Sequence, residues 1–365
     1  MPDPEPRPEP GLRPTAWVLA APGAGDNGQL RTLVELLGAD ARWIDQVDPV
    51  FRVLRDRLTG FRAGGVPADK RATWAPPWPD LVLIAGGRAV IDARRIRNAS
   101  GGKSRVVCLG RPWAPLDWFD LVVTTPQYRL PAAENVLTLD LPLNLPPRAP
   151  DEVLARWRGE FEDLPRPILG VLLGGDSGSY RFDAKCADAL ARNVNEILRQ
   201  RGGSAVVVGS PRTPQEAIEL LTQRLDIPAC TYAWGPHAPN PYASVLQLAD
   251  ALLVTGDSAS MLAEACHTNK PVGMFELRER ARSRLNRKLR AITSVLASST
   301  ARLTARGLWV PARDMTELHR RAVISGLLSD PADLMSAAPR TGGPVGSFYE
   351  VRDRIRGLLD RQETD

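Results

Sequence analysis

Short apolar runs alternate with helix-length segments along most of this chain, and no other feature restricts its fold so strongly. A run that is apolar on both faces suits a parallel strand covered by helices on either side. Parallel neighbours need a crossover long enough to hold a helix. The alternation therefore predicts α/β architecture with parallel sheets. In the first half, strands are expected at 16–20, 41–44, 81–85, 106–109, 121–124 and 136–139, with helices at 28–38, 47–58, 88–101 and 115–119. The Gly-, Pro- and Trp-rich stretch 61–79 reads as a loop. In the second half, strands are expected at 168–173, 204–208, 231–234, 251–254 and 272–275. Helices are expected there at 151–161, 183–201, 214–225, 241–249 and 258–268.

The proline-rich segment LPLNLPPRAP, Leu141–Pro150, separates the two sets and favours an extended connection. A length of 365 residues accommodates two domains of about 100–200 residues each. The expected division is a disordered tail over 1–14, a Rossmann-like lobe over 15–145, a second over 151–340, and a C-terminal helix over 345–362. Phe348, Val351, Ile355, Leu358 and Leu359 form one apolar stripe on that helix, suited to packing back on the body.

Charge and cysteine usage narrow the function classes. The formal net charge is +5, but only five of the 47 basic residues are lysines. That arginine bias, alongside abundant Ala and Pro, reads as a coding background rather than a nucleic-acid footprint. The one dense basic run, 277–290 (LRERARSRLNRKLR), lacks the aromatic interleaving of a nucleic-acid binder. It reads as a solvated helix face, or as a face that rests on anionic lipid at about 1 kcal/mol per basic residue. The four cysteines and three histidines are scattered, so neither a disulfide framework nor a metal site is expected. No apolar run approaches the ~18 residues of a membrane span. The proline-rich, acidic start lacks the apolar core of a signal peptide, so a cytoplasmic location is expected, with peripheral contact at a membrane.

The candidate site lies in loops that follow strands. LLVTGDSASMLAEACHTNKPV, 252–272, reads as strand, polar turn and helix; a helix N-terminus after a parallel strand favours an anion. Asp257 lies in that turn, Ser258 or Ser260 can cap the helix, and Glu264 lies about two turns in. LGGDSGSY, 173–180, offers Gly174, Gly175, Asp176, Ser177 and Tyr180 after another strand, a Gly-rich phosphate cradle. VGSPRTP, 208–214, adds Ser210, Arg212 and Thr213. The opening loop APGAGDNGQ, 21–29, brings Gly25, Asp26 and Asn27. It is neither a GxGxxG nor a Walker A loop. Gly86, Gly87 and Arg88 follow a first-half strand, and Gly110-Arg111-Pro112 follows the next. Each of these loops also reads as an ordinary strand–helix turn of an α/β domain.

Taken in order, GAGDNGQ (23–29), LGRPWAPL with FDLVVTTPQ (109–127), LPRPILGVLLGGDSGSYRFD (164–183), PRTP (211–214), NPY (240–242) and VTGDSASMLAEACHTNKPV (254–272) resemble the "elongated mitochondria" (mitochondrial fission) family, in its bacterial branch. That family is similar to GT-B glycosyltransferases, which implies two Rossmann-like lobes in tandem with an interlobe cleft. SASMLAEA is also similar to the donor loop of the enzyme that adds N-acetylglucosamine to lipid-linked peptidoglycan precursor. By that likeness Glu264 would grip a ribose, and Ser258 and Ser260 would lie near phosphate or uracil. The chain departs from that enzyme's acceptor loop, with Asp26-Asn27 where a histidine is commonly near. The plant members of the family recruit a fission GTPase.

The expectation is therefore a transferase using a nucleotide-diphosphate sugar, with a cell-envelope saccharide or lipid-linked molecule as acceptor. No permanently bound cofactor is expected. Departure of the nucleoside diphosphate needs charge stabilisation, which backbone N–H groups, a helix dipole and Arg212 can supply without a metal. A base is needed for the acceptor hydroxyl, with Asp26 the first choice and Asp176 the second. The alternative is a non-catalytic adaptor that keeps the fold and recruits a protein partner. A sugar-nucleotide epimerase built on a bound dinucleotide is disfavoured by the missing GxGxxG.

Overall fold

The computed structural model describes residues 13–46, 66–199, 201–235, 240–280, 297–340 and 345–363. The expected helix at 47–58, most of the N-terminal tail and the larger part of the basic run fall outside those residues.

Six strands form the first sheet: β1 (Thr15–Leu19), β2 (Asp40–Ile44), β3 (Leu81–Ala85), β4 (Arg105–Leu109), β5 (Leu121–Thr124) and β6 (Val136–Thr138). Their order is β2-β1-β3-β4-β5-β6, and every pairing is parallel. Side-chain alternation divides the lobe into two cores. Val18, Leu83 and Val107 face one way, with Leu30 and Leu33 of α1 (Ala24–Leu37). Trp17, Leu19, Ile84 and Cys108 face the other, with Ala93 and Ile96 of α3 (Val90–Ala99). Between them lies α2 (Ala68–Ala72), one short helix inside the stretch expected as loop. The expected helix at 115–119 is only a 3-10 turn at Leu116–Trp118, because β5 begins three residues later.

The second sheet comprises β7 (Ile168–Leu172), β8 (Ser204–Val208), β9 (Ala229–Tyr232), β10 (Ala251–Thr255) and β11 (Val272–Phe275). It runs β11-β10-β7-β8-β9, again wholly parallel. This is the dinucleotide-fold order, whereas the first lobe follows the flavodoxin-like order with one added strand. Both lobes are thus Rossmann-like. β7, β8 and β10 are buried along their whole length, as central strands covered on both faces should be. The covering helices are α4 (Asp151–Glu160), α5 (Ala184–Arg199), α6 (Gln215–Arg224), α7 (Tyr242–Leu248) and α8 (Ala259–Cys266).

Three late segments join the lobes. Helix α9 (Ala297–Ala305) ends against the first lobe, where Gly307 lies on the backbone of Ala114 and Pro115. A strap follows. Arg111 donates to the carbonyl of Pro311, Arg313 Nε donates to Gln127 Oε1 at 2.6 Å, and Arg129 pairs with Asp314 at 2.5 Å. Helix α10 (Met315–Ile324) then returns to the second lobe, burying Met315 and Leu318 there. The last helix, α11 (Val345–Glu363), buries Phe348, Val351 and Ile355 in the first lobe's core. Phe348 also meets the ring of His267, from the second lobe, at 4.7 Å between centroids.

Candidate functional site

Ligands of open α/β sheets bind beyond the carboxyl ends of the strands, where the strand order reverses. In the first lobe that point lies between β1 and β3, and in the second between β7 and β10. The loops after these four strands carry Gly25–Asn27, Gly86–Arg88, Gly174–Tyr180 and Asp257–Ser260. Position in the topology, rather than any signature, is what selects them.

On the second lobe, three of the loops are knotted together by their own polar groups. Thr255 Oγ1 accepts from Gly174 N at 2.7 Å and donates to Asp257 Oδ1 at 2.8 Å. Asp257 Oδ2 accepts from Gly175 N at 3.1 Å and pairs with Arg212 at 2.9 Å. Ser210 and Thr213 both donate to the carbonyl of Gly174, at 2.5 and 2.6 Å. Burial pushes the Asp257 carboxyl up, while Arg212 and the hydrogen bonds pull it back. Both glycines are obligatory. A methyl on Gly174 would lie 2.2 Å from the Asp257 carboxylate. Gly175 has φ +138°, and a methyl there would lie 2.1 Å from the carbonyl oxygen of Arg212.

The remainder of the 173–180 loop is held by the chain just after β11. Tyr180 bridges Glu279, and Asp176 pairs with Arg280 at 3.0 Å and accepts from Phe182 N at 2.9 Å. Ser177 Oγ accepts from Tyr180 N at 3.3 Å. Arg280, itself exposed, thus ties the 173–180 loop to the chain after β11.

Ser258 is the N-cap of α8, accepting from Met261 N at 3.4 Å. Ser260, one turn position on, points across to the first lobe, where a methyl on Gly25 would meet its Oγ at 2.4 Å. The first turns of α8 and α1 thus face each other across the junction. Glu264 accepts a hydrogen bond from Tyr242. Burial raises its carboxyl to about 7, and that hydrogen bond only partly opposes the rise.

On the first lobe, Asn27 closes its loop on itself, donating to Ala21 O at 2.7 Å and accepting from Ala21 N at 2.8 Å. Asp26 is tucked beneath Gly23 in the first turn of α1. Burial raises its carboxyl, opposed by the charges of Arg313 and Arg88. Gly87 lies so close to Trp113 that any side chain would collide with the indole. Gly86 has φ +71°, the left-handed turn that lets Arg88 start the approach to α3.

Sequence reasoning passed over the residues that arrive from the strap. His319 of α10 donates from Nε2 to Gly256 O at 2.7 Å, beneath the turn after β10, and burial pushes the ring's pKa down. Arg313, which donates to Gln127 of the first lobe, lies within electrostatic reach of Asp26, as does Tyr128 beside that glutamine. No periodicity marks them, because their role depends on contacts almost 200 residues apart in sequence.

The description "Mitochondrial fission ELM1" matches residues 24–307 of this chain. That is most of its length. The chain belongs to the mitochondrial fission ELM1 family. A relative, "Mitochondrial fission protein ELM1" of Arabidopsis thaliana, is 28% identical over 230 residues, covering 55% of this chain and 52% of that protein. An uncharacterized protein of Rickettsia prowazekii (strain Madrid E) is 26% identical over 114 residues, covering 30% of this chain and 32% of its own. The chain thus spans about half and about a third of these two relatives. Solved structures of similar shape include a UDP-GlcNAc 2-epimerase from Methanocaldococcus jannaschii (TM-score 0.48, 11% identity, 94% of this chain and 98% of that one). A glycosyl transferase family 9 structure from Veillonella parvula DSM 2008 gives TM-score 0.40 at 11% identity, with the same coverages of 94% and 98%. These likenesses are too distant to bear on activity. The ELM1 match includes every candidate residue from Gly25 to Glu264 and ends at the start of the strap, before α10 and α11.

Proposed function

We propose that this family member is a glycosyltransferase of GT-B type, taking a nucleotide-diphosphate sugar on its second lobe and an acceptor on its first. The observation that carries the reading is the meeting of two reversal points: the α8 start, with Ser258 and Ser260, faces the α1 start, with Gly25 and Asp26. In this reading the donor pyrophosphate lies at the α8 N-terminus, with Arg212, half-exposed beyond Asp257, and the 174–177 backbone close by. Glu264 grips the ribose. Asp26 is the base, since a carboxyl raised by burial suits proton transfer near neutral pH better than an ordinary one. Asp176, already engaged by Arg280 and Phe182 N, is the weaker choice. The acceptor is a cell-envelope saccharide or lipid-linked molecule, and the reaction needs no metal. No described helix is long and apolar enough to cross a membrane; contact with an anionic membrane face through 277–290 belongs to the same proposal.

The test is a thermal-shift screen of UDP, GDP, ADP and CMP sugars. A ligand at a hundred times its Kd adds about 2.7 kcal/mol of stability. Glu264→Ala should abolish that gain, whereas Asp26→Asn should keep it and cut turnover by 10²–10⁴-fold. Incubating the donor alone and following it by NMR separates transfer from epimerisation. The adaptor reading draws on a specific observation of its own: Asp257 with Arg212, and Glu264 with Tyr242, already satisfy one another. Absence of any shift across the nucleotide screen would favour it.

A further inference from the structure

Three consecutive apolar residues stand out from the surface where α9 gives way to the strap. Leu308 is 71% exposed and Trp309 53%, with Val310 beside them and Leu303 of α9 exposed as well. Single exposed apolar side chains are ordinary, whereas a contiguous group marks a contact. The group is held firmly. Gly307 closes α9 in a Schellman motif, its N–H donating to Thr304 O at 2.9 Å. Leu308 N and Trp309 N both donate to Leu303 O, at 2.9 and 3.2 Å. The motif brings the positions of Leu303 and Leu308 together, so the turn is an apolar knuckle fixed to the end of a helix.

Positive charge flanks the knuckle. From Ala297 to Arg313 the sequence holds Arg302, Arg306 and Arg313 and no Asp or Glu. Arg302 and Arg306 are exposed. The basic run 277–290 comes shortly before α9 in sequence. Asp314, the next residue, is taken by Arg129, and Asp117 is exposed on the adjoining 3-10 turn. Apolar side chains flanked by arginines suit an anionic bilayer: the apolar groups enter the headgroup layer while the guanidinium groups meet lipid phosphates. Trp favours that layer for its amphipathic ring. A knuckle this exposed offers a peptide no groove to lie in.

We infer that Leu303, Leu308 and Trp309 form a membrane anchor that seats the chain on an anionic lipid surface. The anchor is a group distinct from the basic run, and it names the side chains that enter the lipid. Gly307 lies against Ala114 and Pro115, Arg111 donates to Pro311 O, and Trp113 of the same loop packs on Gly87. Anchoring at the knuckle therefore brings the loops after β3 and β4 next to the headgroups. That this is the side where a lipid-linked acceptor arrives rests on the transferase reading; the anchor does not.

The experiment is co-sedimentation of the full chain with vesicles, one set of phosphatidylcholine alone and one with phosphatidylglycerol in equal parts. The parent chain should bind the anionic vesicles at least about tenfold more tightly than the neutral ones. Leu308→Ser combined with Trp309→Ser should weaken that binding by at least about tenfold, the worth of one apolar side chain taken out of water. Val323→Ser combined with Ile324→Ser, a comparably exposed pair on α10, should leave it within about twofold. Circular dichroism checks that each variant is folded. No binding by the parent chain overturns the proposal, as do equal binding to neutral vesicles, unchanged binding by the knuckle variant, and an equal loss in the α10 pair. Should Arg287→Glu with Lys288→Glu abolish binding while the knuckle variant binds as the parent does, the basic run is the contact and the anchor falls. Should nucleotide sugars give no thermal shift while Trp309-dependent vesicle binding persists, the transferase reading falls and the anchor survives.

Discussion

Glu264 keeps its proton to about pH 7 in the folded chain, against about 4.5 when unfolded, because burial disfavours its charge. Between those two values the native state holds more protons than the unfolded one, so stability falls as pH rises from about 4.5 to about 7 and levels off above. The slope from one such group approaches about 1.4 kcal/mol per pH unit. Asp26 and Asp257 tilt the curve in the same direction. Urea midpoints taken at pH 5 and pH 8 should therefore differ less in Glu264→Gln than in the parent chain. Asp257 has the opposite sensitivity to substitution. Asp257→Ala strands the Gly175 amide and leaves Arg212, half-exposed, without its partner. The expected loss is about 2–3 kcal/mol, below the range for a fully buried pair because water reaches Arg212. Chemical denaturation measures it directly.

At the level of elements, nearly every strand was legible, and the half-buried edge strand β9 was the one misplaced. β3, β5 and β8 occupy the spans that their apolar runs predict, since strands buried on both faces leave an unbroken run, and the edge strand β11 also starts and ends where expected. β9 is an edge strand, only half-buried, and lies two residues earlier than its pattern suggests, at Ala229–Tyr232. The strap left no trace in the sequence. Its residues 306–314 follow neither a helical nor a strand period, and their partners Arg111, Gln127 and Arg129 lie far upstream. The site was legible as loops but not as a network: nothing in SPRT announces that Ser210 and Thr213 share the carbonyl of Gly174. The last helix was plain from its stripe, and Ile355 is fully buried in the first lobe. Ile355→Ala should cost about 2–5 kcal/mol by calorimetry, against less than about 0.5 kcal/mol for an exposed position such as Arg356.

Across the whole molecule, the strap and α11 make the first lobe depend on chain that follows the second. The two lobes should unfold in one calorimetric transition. Combining Arg129→Ala with Gln127→Ala removes two of the strap's polar ties, and the endotherm should then broaden or split. The close approach of Gly25 to Ser260 has a further consequence. A methyl group on Gly25 must turn the Ser260 hydroxyl aside and ease the two helix starts apart by a few tenths of an ångström. Gly25→Ala thereby becomes a probe of how tightly the lobes are joined there: calorimetry should show a lower unfolding temperature, and Ser260→Gly in the same chain should restore it.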